Sequence, residues 1–152
     1  MLNVLYTFQG GYGTRGQLTT DASGNFYGVA ENNTGGSVAF ELAQPGTWTY
    51  EVLYNNLPQY PNPGLVFDSA GNLYGTSFGG GSYGDGTAFE LTHANGSWTV
   101  VDLHDFSFSD GSDPNGGMIF DANGNLYGTS GMGGIMTETC YTGCGTVWEI
   151  TP

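Results

Sequence analysis

The sequence predicts an all-β fold made of β-propeller blades, and three observations predict it. One eight-residue phrase occurs three times, as Asp21-Ala-Ser-Gly-Asn-Phe-Tyr-Gly28, Asp68-Ser-Ala-Gly-Asn-Leu-Tyr-Gly75 and Asp121-Ala-Asn-Gly-Asn-Leu-Tyr-Gly128. A spacing of roughly fifty residues is the signature of a repeat architecture. Each phrase sits in a longer unit that divides into four short strand-like runs with Gly-rich turns, as propeller blades do. The chain also opens with a run matching a fourth strand and closes on a unit that lacks one. That offset lets a first strand complete a last blade.

The middle unit is the template. Gly64 to Phe67 is a short apolar run, strand A. Asp68 to Gly71 is a turn: the carboxylate accepts bonds from N–H groups ahead of it, and Gly71 takes positive φ without a Cβ clash. Leu73 to Ser77 is strand B, entering a loop from Phe78 to Gly86, and Thr87 to Leu91 is strand C. His93 to Ser97 carries the Asn-Gly pair of a tight hairpin, and Trp98 to Phe106 is strand D. The first unit repeats the order with Gln17–Thr20, Phe26–Ala30, Val38–Leu42 and Trp48–Tyr54. The third does so with Gly117–Phe120, Leu126–Ser130 and Thr146–Ile150. Its strand D is supplied by Leu2–Phe8, which aligns with Val100–Phe106. The single repeat domain then divides into units of about 17–63, 64–116 and 117–152, the last completed by residues 1–16 of a neighbouring chain.

Three blades are too few to surround an axis, since propellers use roughly four to eight. A blade face of four short strands covers roughly 300 Å². Leaving one bare costs on the order of 7 kcal/mol as an upper bound. Two chains give six blades and three give nine, so the expectation is a ring closed by a homodimer, with a homotrimer as the next choice. The rival is that the chain is an excerpt of a longer repeat protein.

Composition fits. In 152 residues there are 28 Gly, and aromatics make up 14%. The net charge of −13, with a single basic residue, Arg15, argues against nucleic acid and against anionic membrane surfaces. No apolar run approaches the ~20 residues of a membrane span.

The strings Gly-Asn-Leu-Tyr-Gly-Thr-Ser (71–77), Gly-Thr-Ala-Phe-Glu-Leu (86–91), Val-Asp-Leu-His-Asp-Phe (101–106) and Asp-Gly-Ser-Asp-Pro (110–114) resemble the GloVer-type tandem repeat. The resemblance covers almost the whole chain, and the first unit departs most, at Gln17, Thr20, Val29 and Ser37. It implies a propeller-like β array at the surface or outside of a bacterial cell, with the export signal not in this chain. It implies no activity.

Chemistry is expected where variable loops meet a rigid scaffold. The B–C loops and D–A connections share that face of the disc. Tyr83, Asp85, His104, Asp105, Asp110 and Asp113, with Glu31 and Asn33 from the first unit, are the ligand-binding candidates. His104 stands where Tyr54 and Tyr6 stand, which reads as a half-buried aromatic slot. Asp21, Asp68 and Asp121 read as turn formers. The EF-hand likeness of the 121 loop fails at Leu126 and Met132. Glu41, Glu90 and Glu149 read as solvated strand positions. Cys140 and Cys144 read as a local disulfide, because a metal pair would need two more soft ligands. No metal and no cofactor is expected, and no Gly-x-Ser-x-Gly elbow or P-loop is present. The expected function is a non-enzymatic, self-assembling scaffold offering an acidic face to a small ligand such as carbohydrate. The alternatives are a glycoside or ester hydrolase using carboxylates at the channel mouth, and a spacer that binds nothing.

Overall fold

The structure is a computed structural model that describes residues 1–9, 13–14, 16–31, 36–44 and 46–151. Among them the fold is all-β, with antiparallel sheets in chain order. The first contains β1 (Gly13–Thr14), β2 (Thr19–Thr20), β3 (Phe26–Glu31), β4 (Ser37–Ala43) and β5 (Thr49–Asn55). The second runs β6 (Val66–Phe67), β7 (Leu73–Ser77), β8 (Thr87–Ala94) and β9 (Ser97–Asp105) in that order. The third contains β10 (Ser112–Pro114), β11 (Ile119–Phe120), β12 (Leu126–Met132) and β13 (Thr146–Ile150). Strands A to D of the first two units and A to C of the third are thus found, with A shortened to two residues. The added pieces β1 and β10 lie in the loops before strand A and pair with strand B of their own sheet.

Register explains the repeated phrase. Tyr27, Tyr74 and Tyr127 lie opposite Glu41, Glu90 and Glu149, and Gly28, Gly75 and Gly128 lie opposite Phe40, Phe89 and Trp148. Successive residues point to opposite faces, so Tyr27 and Tyr74 look toward the following sheet and each Gly makes room for an aromatic ring on the other face. A Cβ on Gly75 would stand 2.6 Å from Phe89 Cζ and 2.9 Å from Leu65 Cδ2. Gly28 is hemmed in the same way by Phe40 and Leu18.

The sheets pack face to face. Tyr27, Val29, Ala39 and Leu57 of the first unit meet Leu65, Leu73, Phe89 and Leu91 of the second. Tyr74, Ala88 and Phe106 of the second meet Met118 and Leu126 of the third. At each joint a Tyr meets the next unit's strand A Phe edge-on: Tyr27 with Phe67 at 4.9 Å and Tyr74 with Phe120 at 5.1 Å between ring centres. The starts of the A strands converge, with the Cβ position of Gly64 lying 3.6 Å from Gly117 Cα and 3.9 Å from Gln17 Oε1. The core clusters join the first sheet to the second and the second to the third; among the described residues none joins the third back to the first.

Two end faces therefore remain. On the third sheet Val147 is 80% exposed and Ile119 68%, whereas Ala39 and Ala88, the residues in Val147's place, are fully buried. The outer edge of β13 has no paired strand among the described residues. On the first sheet the opposite face is covered by the chain's own start: Tyr6 and Phe8 pack on Phe40 and Tyr50. The sequence makes residues 2–8 a strand D; within one chain residues 1–9 form no strand. The physical reason is that strand C of the sheet they lie on, β4, is already paired with β5, so no strand C edge is open to them there.

Candidate functional site

The three Asp turns are one hydrogen-bond network built three times. Asp68 Oδ1 accepts from the N–H groups of Ala70 and Asn72, both at 2.8 Å, and Oδ2 accepts from Asn72 Nδ2 at 2.9 Å. Tyr74 Oη lies 3.2 Å from the same oxygen and donates to Glu90 Oε1 at 3.0 Å. The Asp21–Tyr27–Glu41 and Asp121–Tyr127–Glu149 sets repeat this. The glutamates are thus acceptors for the tyrosines and more than solvated strand positions. Burial pushes the Asp21 and Asp68 carboxyls up, but backbone and Asn N–H bonds outweigh it and hold both below the usual range. At Asp121 the Asn125 N–H leads the same lowering. Tyr27 and Tyr74 are pushed well up, first by burial and then by the glutamate they bond. The carboxylate oxygens that a cation would want are committed to these bonds.

On the other face, the loops gather most of the expected residues around β9 and β10. Asp105 Oδ2 accepts from the backbone N–H of Ser82 at 2.9 Å and from its hydroxyl, which lowers its pKa. Its Oδ1 is buried with no hydrogen-bond partner. Asp110 Oδ1 accepts from Ser107 N–H at 2.8 Å, and Oδ2 lies 3.3 Å from His104 Nε2. His104 itself is half-buried with its ring edge-on to Phe106 at 4.8 Å, as an aromatic slot requires. Asp85 Oδ1 accepts from Ser112 Oγ at 3.0 Å. Asp113, at φ 54°, has its carboxyl pushed up first by burial and then by the charge of Asp85. Tyr83 projects into solvent. These carboxylates are largely occupied in fastening loops. Among the described residues no group of three or more His, Cys, Asp or Glu could hold a metal ion. Cys140 and Cys144 are disulfide-bonded, with Cα atoms 5.2 Å apart. Asn33 lies outside the described residues.

Glu31 sits apart from that group. It lines a cleft of about 340 Å³ between the first two units with Tyr60, Pro61, Asn62, Pro63 and Phe78. Two backbones laced together form the floor: Phe78 N–H donates to Tyr60 O at 2.9 Å, Asn62 N–H to Thr76 O at 2.7 Å, and Pro61 bridges to Ser77. Asn62 Nδ2 donates to Thr76 Oγ1 at 3.1 Å and to the Pro114 carbonyl. The Tyr60 and Phe78 rings stand 6.4 Å apart at 80°, both near half exposed. Tyr60, Asn62 and Phe78 are absent from the sequence-based candidates, although the loops carrying them are among the variable ones. The sequence holds one signal, the Pro-Asn pairs Pro61-Asn62 and Pro114-Asn115, which place Tyr60 where the next unit has Asp113, as the pairing of Pro61 with Ser77 and of Pro114 with Ser130 bears out. A second hollow, about 520 Å³, lies on the opposite face between the Asp68 and Asp121 turns. The aspartates that line it are already bonded.

No curated protein and no solved structure matches the chain. A family model, the Gloeobacter/Verrucomicrobia repeat, matches residues 13–152. That stretch takes in all three Asp-turn networks and the Gly–aromatic pairings built on them. The chain therefore belongs to the Gloeobacter/Verrucomicrobia repeat family, the GloVer repeats.

Proposed function

We propose that the protein is a self-assembling β-propeller module, two copies closing six blades, whose loop face presents a binding surface to a small ligand. One observation carries the reading. The leading segment lies on the first sheet as the end of β9 lies on the third. Phe106 contacts Trp148 at 5.2 Å with His104 edge-on beside it, and Phe8 contacts Phe40 at 5.2 Å with Tyr6 edge-on beside it. Phe40 and Trp148 are equivalent residues, opposite Gly28 and Gly128. This likeness supports reading residues 6–8 as the end of a strand D that goes with another unit's sheet. A second copy's third sheet supplies such a unit, together with the unpaired β13 edge and the bare Val147 and Ile119. The contact is head to tail, and two copies satisfy it by a two-fold operation.

Light scattering on a sizing column tests this. The expected mass is about twice the 16.0 kDa chain, and removal of residues 1–8 should abolish it. A monomer at every concentration would overturn the proposal, and a trimer would overturn two-copy closure. A hydrolase is the second reading, favoured by one feature: Asp113, its carboxyl pushed toward the acid form, beside Asp85. Asp113→Asn in a screen of glycoside and ester substrates decides it; any activity should vanish in the variant.

A further inference from the structure

We infer that the cleft between the first two units is a binding site for a neutral saccharide, with Tyr60 and Phe78 as the stacking surfaces. This deepens the ligand-binding part of the proposed function. It is independent of ring closure, because every lining residue belongs to one chain and a monomer would keep the site.

The argument begins with the backbone. Tyr60 has φ 56°, and Asp113 at the equivalent place in the next joint has φ 54°. The left-handed conformation thus recurs at these two joints, though not at Gly13 on the first sheet, and is costly for a bulky residue. What differs is the side chain placed on it. At the joint of the second and third units the corresponding pair is Asp113 with Gly131. On the first sheet the corresponding pair is Gly13 with Glu31. At the joint of the first two units alone it is Tyr60 with Phe78, two large rings 54% and 47% exposed. Aromatic surface left in water by a scaffold that gives the same place to Asp or Gly elsewhere is not required for folding.

The chemistry of the lining selects the ligand. Two rings at 80° offer one face to lie against and one edge to abut, which suits the C–H face of a pyranose. Around them stand the polar groups of Glu31 and Asn62, and the prolines make the floor stiff. Asn62 is held by Thr76 and the Pro114 carbonyl, which orients its amide before a ligand arrives. Pre-set polar groups on an apolar wall are how small-molecule sites gain orientation and specificity. The volume is at the small end of the range of about 300–1,000 Å³ for such sites. A net charge of −13 disfavours uronic or sulfated sugars, leaving neutral ones.

The test is isothermal titration of the intact protein with cellohexaose, laminarihexaose, xylohexaose, mannohexaose and maltohexaose, and with choline chloride as the rival organic cation. At least one hexasaccharide should bind. Tyr60→Ala and Phe78→Ala should each weaken it by roughly tenfold or more, and Tyr141→Ala, an exposed ring in the Cys140–Cys144 loop outside the cleft, should not. Thermal melts check that the variants are folded. Hydrogen exchange on the unaltered protein gives a readout that needs no variant: the bound sugar should slow exchange over residues 59–63 and 77–79. Failure of every hexasaccharide to bind, binding of choline alone, binding that survives both substitutions, or protection confined to other segments would each overturn the inference.

Discussion

Replacing Gly75 by Ala sets two physical effects against each other. In a strand interior, Ala is ordinarily better than Gly by about 0.5–1 kcal/mol, because Gly surrenders more backbone freedom on folding. Here the added carbon would stand 2.6 Å from Phe89 Cζ, 2.9 Å from Leu65 Cδ2 and 3.1 Å from Phe89 Cε2. Carbon atoms prefer about 3.5–4.0 Å. Phe89 is fully buried and Leu65 nearly so, so neither can swing into solvent. Overpacking of this kind costs about 1–3 kcal/mol. The net expectation is a loss of about 1–2 kcal/mol. At about 2–4 °C per kcal/mol for a chain of this size, the melting temperature should fall by about 2–8 °C. The assay is thermal and urea melts followed by circular dichroism at one fixed protein concentration, since any self-association would shift the midpoint. Phe89→Leu supplies the control. It removes the obstructing ring atoms, so Gly75→Ala should cost distinctly less in that background, giving a coupling of the opposite sign to the single-variant losses. A Gly75→Ala protein as stable as the parent or more so, or a cycle with no coupling, would refute the explanation of why the repeat ends its phrase with Gly.

Four further outcomes follow from the same geometry. Asp21, Asp68 and Asp121 have folded-state pKa values below ordinary, so their stabilisation is complete above the unfolded value of about 3.9 and is lost as pH falls through the depressed folded values. Asp102 and Asp113 are shifted up and act oppositely, their penalty vanishing as pH drops below the unfolded value; Asp68→Asn should flatten the acid limb of a stability–pH curve. Tyr74→Phe removes the hydroxyl bonded to Glu90 and should cost about 0.5–1.5 kcal/mol in a urea melt. Cys140→Ser with Cys144→Ser should cost at most about 2 kcal/mol, because the bridge closes a short ring. Backbone bonds such as Gly133 N–H to Thr142 O at 2.9 Å and Cys144 N–H to Ile135 O at 3.0 Å already fasten that loop. Thiol titration of the native protein should find no reactive sulfur until reductant is added.

Much of the architecture could be read in the chain because the repeated phrase is a local device. Asp68, Gly71, Asn72, Tyr74 and Gly75 act within one turn and one strand pair, so their chemistry survives as a string of letters. Strand B of the second unit and strand C of the third fall at Leu73–Ser77 and Thr146–Ile150, the residues the pattern marks. Strand A could not be bounded, since Val66–Phe67 is too short for alternation to define. The role of Glu41, Glu90 and Glu149 was hidden for another reason: the tyrosine each serves is many residues away, and only register brings them opposite. The cleft was hidden because Tyr60 and Phe78 come from separate loops that meet through the Pro61–Ser77 bridge. Asp105 and Asp110 looked available as ligands in the sequence, and nothing in their spacing revealed that Ser82 and Ser107 already bind them.

Thr20 stands where the other two units carry Phe67 and Phe120. Inside one polypeptide, every junction is locked by a tyrosine ring against a phenylalanine. At a seam between copies, Tyr127 would find only a methyl and a hydroxyl. The missing ring pair is worth about 0.5–1.5 kcal/mol, in addition to the smaller buried surface. Such a wheel would have weak spokes at fixed places. On dilution it would part there first, each polypeptide staying folded, so that protomers from differently labelled preparations would trade places and yield mixed rings.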